Sequence, residues 1–349
     1  MQRLLLGLSV WVAFIVGPTV FAQQATDVVV YGGTSGGVIA AVQAGRMGKS
    51  VVLIEPSKHL GGMTTGGLGA TDTGNQKAIG GVSREFYQRI LKYYSDKSAW
   101  KYETQEQYAK REKYYHDDAL FGFEPHVAEK IYGDMLAEAH VNIVLGERLD
   151  LKNGVKKDGP RIVSIRMESG REFPAKMFID ASYEGDLMAK AGVSYTVGRE
   201  ANSQYGERAN GIEVRLAKSH QFTFPVDPYN KPGNATSGLV PLIHAGSPGE
   251  DGQADNREQA YNYRLCLTEV PENRVPFAKP EGYDPKEYEL LLRFYEAGLK
   301  NIPWGPRGMP NKKTDTNNSG AFSTDFIGGA DAYPDADYAT REKITRDHI

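Results

Sequence analysis

Asp27–Gly69 reads DVVVYGGTSGGVIAAVQAGRMGKSVVLIEPSKHLGGMTTGGLG. An apolar run, Asp27–Tyr31, gives way to a glycine-rich turn at Gly32–Gly37. Val38, Ala41, Val42 and Gly45 then recur at i, i+3, i+4 and i+7, so Val38–Met47 predicts a helix with one apolar face toward a sheet. Gly48 suits the C′ position that ends it. A second apolar run, Val51–Ile54, closes on an acid, Glu55. Strand, glycine turn, helix, strand and acid in that order make the dinucleotide-binding βαβ unit. The turn lets backbone approach a pyrophosphate. The helix start meets that anion with unpaired N–H groups and the positive end of its dipole. Glu55 lies 23 positions after Gly32 (55 minus 32), near the roughly 20 expected for an acid that holds ribose hydroxyls.

The candidate binding residues of the turn are Gly32, Gly33, Thr34, Ser35, Gly36 and Gly37. In G-x-G-x-x-G the middle glycine falls at position 34, and Thr34 stands there. Its Cβ limits phosphate approach, while its hydroxyl is a candidate phosphate donor. A βαβ unit that binds no nucleotide is the alternative, weakened because helix, Gly48 and Glu55 all fall in register.

The next residues are His59-Leu60-Gly61-Gly62-Met63-Thr64-Thr65-Gly66-Gly67. Here the chain resembles the FAD-dependent oxidoreductases of the glutathione-reductase-like superfamily. More narrowly it is similar to a secreted bacterial FAD-dependent oxidoreductase family, some of whose members are labelled xanthan lyase. The resemblance implies that this Gly/Thr-rich loop lies along the flavin, which adds Gly61, Gly62, Met63, Thr64 and Thr65 to Glu55 and the turn as FAD-binding candidates. It extends from Asp27 to Ile349 and includes the Gly80-Gly81…Arg84-Glu85-Phe86 stretch and the strand ending Asp180-Ala181 before Gly185-Asp186-Leu187. It further implies an α/β, Rossmann-like FAD/NAD(P)-binding domain with an inserted α+β substrate domain. Chains of that family run further, and their last segment returns to the FAD domain. No such segment is expected after Thr345–Ile349, so a missing C-terminal FAD-domain segment and weak FAD binding by this chain alone are expectations.

Composition bounds the rest. With 349 residues and 40% hydrophobic content the chain can bury a sizeable core and form about two domains. Net charge is −3 and no basic run stands out, so a nucleic-acid partner is not expected. The one cysteine, Cys266, excludes an internal disulfide and a Cys-based zinc site, and the seven histidines are scattered, so no metal is expected. Met1-Gln2-Arg3, the apolar Leu4–Val16 and Val20-Phe21-Ala22 read as a signal peptide cleaved after Ala22. Gly17-Pro18 and the short apolar stretch argue against a stable membrane anchor. The expected organisation is therefore 1–22 signal peptide, 23–194 FAD-binding domain and 195–349 substrate-facing domain.

Further along, Ser83 is a cap candidate for a helix to about Tyr94, and Thr104–Lys113 and Pro125–Ala139 predict two more, the last with Pro125 at N1. Val141–Leu149 predicts a strand, Arg161–Glu168 and Arg171–Ala175 a hairpin around Ser169-Gly170, and Lys176–Asp180 another strand. Glu184 and Asp186 stand at a helix start, where a carboxylate caps N–H groups; acid–base catalysis is the alternative. Ala260–Thr268 reads as a strand, Leu290–Leu299 as a helix and Pro303–Pro310 as a loop. Loops at Asn317–Gly320 and Asp325–Gly329 are placed toward the substrate.

The function these features predict is an exported FAD-dependent oxidoreductase passing a hydride from an organic small-molecule substrate, a saccharide among the candidates, to flavin. Arg199 and Arg264 are the candidates for clamping a carboxylate or a hydroxyl-rich substrate; surface ion pairs are the alternative for both. His59 is a remote candidate for covalent flavin attachment. A polysaccharide lyase, as the family labels suggest, and a non-catalytic binding protein are the other readings.

Overall fold

The computed structural model describes residues 26–116, 118–301, 304–318 and 320–349. The signal-sequence reading lies outside the described residues. The first half follows the local logic of its sequence. β1 (Thr26–Tyr31) leads through the glycine turn into α1 (Ser35–Arg46) and then β2 (Val51–Glu55). Gly48, at φ +73°, ends α1 in the left-handed region. α2 (Gly81–Tyr94), α3 (Gln105–Arg111), the short pair β3 (Tyr115–His116) and β4 (Ala119–Leu120), α4 (Pro125–Glu138) and β5 (Asn142–Leu145) follow. A meander of β6 (Val155–Asp158), β7 (Arg161–Arg166) and β8 (Glu172–Asp180) leads to α5 (Asp186–Lys190).

The main sheet has the order β5-β2-β1-β8-β7-β6. β5, β2, β1 and β8 are parallel, and β7 and β6 run antiparallel beside them. The central strands β1 and β2 are buried on both faces, as parallel strands between two layers require. Val30, Val51 and Leu53 face one core with Val38, Ala41 and Val42 of α1 and the apolar faces of α2 and α4. Val29, Tyr31, Val52 and Ile54, one residue out of step, face a second core with Leu149, Ile165, Met167, Phe173 and Leu187. Gly45 does not face the sheet as expected. A Cβ on it would collide with the Ala139 carbonyl at the end of α4, so it is a helix–helix contact.

Beyond α5 the chain is looser. α6 (Asn202–Tyr205), the hairpin β9 (Tyr229–Lys231) and β10 (Asn234–Leu239), β11 (Leu265–Thr268), α7 (Glu289–Glu296), β12 (Gly305–Met309) and β13 (Lys313–Asn317) precede α8 (Tyr338–His348). β11, β13 and β12 form an antiparallel sheet in that order.

Several expectations need correction. Ser83 does not cap α2; Gly80 is its N-cap, and Ser83 lies inside the first turn. Lys176–Asp180 is the second half of one long β8, whose first half pairs with β7 and whose second half joins β1. Pro303–Pro310 contains β12, which the sequence hides because Pro306 lacks an N–H. It is tolerated because β12 is an edge strand. α8 packs against the first half: Arg341 bonds Asp186 of α5 (2.7 and 2.9 Å), Tyr338 Oη donates to the Leu149 carbonyl (3.1 Å) and Glu342 pairs with Arg148 (2.9 Å).

Candidate functional site

The carboxyl ends of β1 and β2 open onto a cavity of about 550 Å³ lined by Gly32, Thr34, Glu55, His59, Gly62 and Thr65 among others. Its floor is the glycine turn. A Cβ on Gly37 would collide with the carbonyl oxygen of Gly32, and one on Gly32, at φ +101°, would collide with the Ala181–Ser182 backbone. These two glycines let the start of α1 and the end of β8 approach each other. α1 carries no acid in its own first turn, so no side chain of the helix itself offsets its positive end. The N–H groups of Ser35 and Gly36 lie outside the i→i−4 ladder of the helix, and Gly36 is exposed.

Thr34 is the N-cap of α1. Its hydroxyl oxygen accepts from Gly37 N–H at 3.3 Å and its proton goes to the Ala181 carbonyl at 2.7 Å. The expected role as a phosphate donor is therefore corrected: the hydroxyl proton is already spent on joining α1 to β8. Glu55 is held by two backbone donors, Gly33 N–H on Oε2 (2.6 Å) and Ser57 N–H on Oε1 (2.8 Å). An ionised carboxylate has about four lone-pair sites, so acceptor capacity remains facing the cavity.

The Gly/Thr loop is stitched to the same helix start. Gly61 N–H donates to the Gly33 carbonyl (2.6 Å), Ser35 Oγ to the Gly61 carbonyl (3.0 Å), and the hydroxyls of Ser35 and Thr64 meet at 2.6 Å. Thr65 Oγ1 donates to the Leu60 carbonyl at 2.5 Å. Met63 is 56% exposed, and its N–H donates to Tyr183 Oη at 2.7 Å. Tyr183 also lies where a side chain on Gly62 would go. His59 Nδ1 lies 3.0 Å from Glu129 Oε1 at the rim. Burial pushes the Glu184 carboxyl up from its ordinary range, and Arg341 opposes this.

The residues fit a flavin dinucleotide. The helix start is unblocked, the glycines clear the backbone, an oriented carboxylate stands at the end of β2, and the loop beyond it is small and hydroxyl-bearing. No lysine or arginine lines this cavity, so the unpaired N–H groups and dipole of the α1 start are the positive end it offers a diphosphate. Tyr183, Ser182 and Glu129 escaped the sequence reading because they come from distant segments. Asp180 escaped it too, although it does the capping first assigned to Glu184 and Asp186: its carboxylate accepts from Ser182 N–H (2.9 Å) and from Met188 N–H (2.7 Å). Asp186 is instead the buried partner of Arg341.

The two candidate arginines do not come together. Arg199 is committed to Asp255 through both Nε (2.8 Å) and a terminal nitrogen. Arg264 lines a different cavity, of about 630 Å³, between the Asp72 loop and the β11–β13–β12 sheet. The predicted substrate-facing loops reach that cavity through Asn317, Asn318, Asp325 and Ile327. Arg84 pairs with Asp118, and Glu85 with Arg46 and Arg89, on the surface of α2. Among the described residues no group of three His, Cys, Asp or Glu side chains is placed to hold a metal ion, and no helix is long and apolar enough to cross a membrane.

The profile of a protein family described as FAD dependent oxidoreductase matches residues 27–349. No curated protein matches the chain. Among solved structures, the chain is similar to an L-proline dehydrogenase from P. horikoshii. The identity is 14%, the TM-score 0.35, and the match covers 51% of this chain and 58% of that one. It is also similar to the glycerol-3-phosphate dehydrogenase from Bacillus halodurans complexed with FAD (14%, TM-score 0.32, covering 53% and 42%) and to an L-amino acid deaminase from Proteus vulgaris (16%, TM-score 0.32, covering 50% and 51%). The chain thus spans 58% or less of the length of these three proteins.

Proposed function

This chain belongs to the FAD-dependent oxidoreductase family, and on that premise we propose that it oxidises an organic, hydroxyl-bearing substrate with FAD held along the cavity beneath α1. When bound, FAD supplies a ring that accepts a hydride from substrate. The chain's own residues supply the hold. The N–H groups of Ser35 and Gly36 and the dipole of α1 take the diphosphate. Glu55, already oriented by Gly33 and Ser57, accepts from ribose hydroxyls. Gly61, Gly62, Gly66 and Gly67 give a flat ring bare backbone to lie along, and Thr64 and Thr65 tie that loop to Ser35 and to the Leu60 carbonyl.

The observation that carries this reading is the one cavity onto which the glycine turn, Glu55 and the Gly/Thr loop all open. A visible absorption spectrum of the purified protein tests it. Added FAD is expected to give a flavin band that bleaches with dithionite and returns in air. No band, with or without added FAD, would remove the proposal. We propose export as well, on the apolar Leu4–Val16 stretch and the Val20-Phe21-Ala22 site. N-terminal sequencing of the mature protein is expected to begin at Gln23; a start at Met1 would overturn it.

A further inference from the structure

We propose that the second cavity is the binding site of the molecule being oxidised, and that it takes a neutral polyhydroxylated compound in preference to a carboxylate. This rests on the flavoenzyme reading above. The cavity, of about 630 Å³, is within the usual size of a small-molecule site.

Its position is the first argument. The loop that lines the first cavity with Gly62, Thr65 and Gly66 runs on to line the second with Asp72. Between them the substrate sheet is fastened to that loop. Gly67 packs beneath Arg264, with only 3.5 Å from its would-be Cβ to that of the arginine. Ala70 N–H donates to Asp315 Oδ2 at 3.3 Å, and Arg307 pairs with Asp72. One segment thus borders both sites.

Charge is the second argument. Each cation of the wall already faces its anion. Arg264 Nε lies 3.1 Å from Asp315 Oδ1, and Arg307 bonds Asp72. His220 sits between two acceptors, with Nε2 3.1 Å from Asp325 Oδ2 and Nδ1 3.1 Å from the Gly320 carbonyl. A carboxylate ligand would take an arginine from its aspartate and strand a buried charge; Asp315 is 1% exposed. An acid clamped by Arg264 would have to displace Asp315.

The remaining polar wall is the third argument. Gln259, Asn262, Asn317 and Asn318 all carry carboxamides, which donate and accept on neighbouring atoms, as a hydroxyl does. Asn318 accepts from Gly320 N–H with Oδ1 (3.0 Å), while its Nδ2 has no partner among the described residues. His220 is held at φ +57°, an uncommon conformation for a residue with a side chain and one that clusters at binding sites.

The test is binding, read by saturation-transfer NMR on FAD-loaded protein, with matched probes: sorbitol, glucose and cellobiose against gluconate, glucuronate and cellobionate. The neutral member of each pair is expected to bind roughly tenfold tighter, the scale of one hydrogen bond to a charged group. Asn262→Ala should weaken neutral probes about fivefold, the scale of one neutral hydrogen bond, with an unchanged circular dichroism spectrum. Asp72→Asn releases Arg307 and should raise the affinity of the acids roughly tenfold. Acids that bind as well as their neutral partners, no binding by any probe, or an Asp72→Asn protein with unchanged preference would each overturn the proposal. A chain that takes up no FAD yet keeps the neutral preference would remove the flavoenzyme reading and leave the site. A chain with a bleaching flavin band and no such preference would do the reverse.

Discussion

The two halves of this chain are held by different forces. Up to α5, apolar side chains from strands and helices fill two cores on opposite faces of one sheet. Beyond α5 the buried apolar side chains among the described residues are Ala191, Ile212, Val240, Val270, Phe294, Met309 and Ala330, scattered along the 159 residues (349 minus 190) that follow Lys190. What fixes that second half is polar and points back at the first. Glu124, 4% exposed at the N-cap of α4, accepts from Tyr94 Oη (2.9 Å) and Asn311 Nδ2 (2.8 Å) and pairs with Lys313 (2.9 Å). Asn311 Oδ1 accepts in turn from Lys101 N–H at 2.7 Å. Arg341 and Asp186 make the second clamp. The first half thus carries both apolar cores, and the second meets it through buried polar clamps.

The sharpest way to break that comparison is to damage each half and ask whether the other notices. Leu53, fully buried in β2, sits in the larger core. Leu53→Ala should cost about 4 kcal/mol, the upper part of the range for buried leucine truncation, and lower the whole unfolding curve, flavin band included. Glu124→Ala strands Lys313 and leaves Tyr94 and Asn311 without their shared acceptor. It should cost about 3 kcal/mol, the low end for breaking a buried ion pair. Here the loss should be local: limited proteolysis is expected to cut around β12 and β13 while residues 26–190 stay protected. Global unfolding by Glu124→Ala would show that the halves are one cooperative unit. Asp186→Asn should follow at about 2 kcal/mol, within the range for hydrogen bonds to a charged group, and should expose α8 to the same protease.

The dependence on pH sharpens the comparison from the first half's surface. The Arg46 guanidinium, with Arg89 behind it, holds the Glu85 carboxyl down from 4.5 to about 2. Because the folded value is the lower one, this stabilisation is whole above about pH 4.5 and is lost as pH falls toward 2. Glu85 is partly exposed, so the network is worth about 0.5–1 kcal/mol. A Glu85→Gln protein should be less stable by that amount at pH 7 and should lose less stability between pH 4.5 and 2. Parallel acid limbs for the two proteins would refute it.

The same division governs how much the sequence reveals. α1 and β2 were legible because the apolar pattern that marks each is contained within the element itself. The glycine turn and Glu55 were legible from an equally local spacing. The second half was not. Arg199 and Asp255 are 56 positions apart, Arg264 and Asp315 are 51, and Arg341 and Asp186 are 155. No periodicity announces a pair made at that range, so an arginine with its partner in place reads like one waiting for substrate. β12 was missed because its sequence, GPRGM, offers glycine and proline where a strand pattern needs side chains, and only its edge position makes it tolerable.

Thr34 gives the smallest effect and the finest test of the first half. It replaces the middle glycine of the motif, yet the structure gives it two tasks, capping α1 and bonding Ala181. If capping is its main contribution, Thr34→Ala should cost about 1 kcal/mol, while Thr34→Gly should cost only a few tenths, because glycine is itself a tolerable N-cap. Removing the Cβ also lets the backbone of the turn come closer to a diphosphate. Thr34→Gly should therefore melt close to the native protein and hold added FAD at least as tightly, and Thr34→Ala should lose stability without that gain. Should Thr34→Gly instead weaken FAD binding and destabilise as much as Thr34→Ala, the bond to Ala181 would be what keeps β8 against the turn. The first half would then also depend on a polar clamp, and its contrast with the second would narrow.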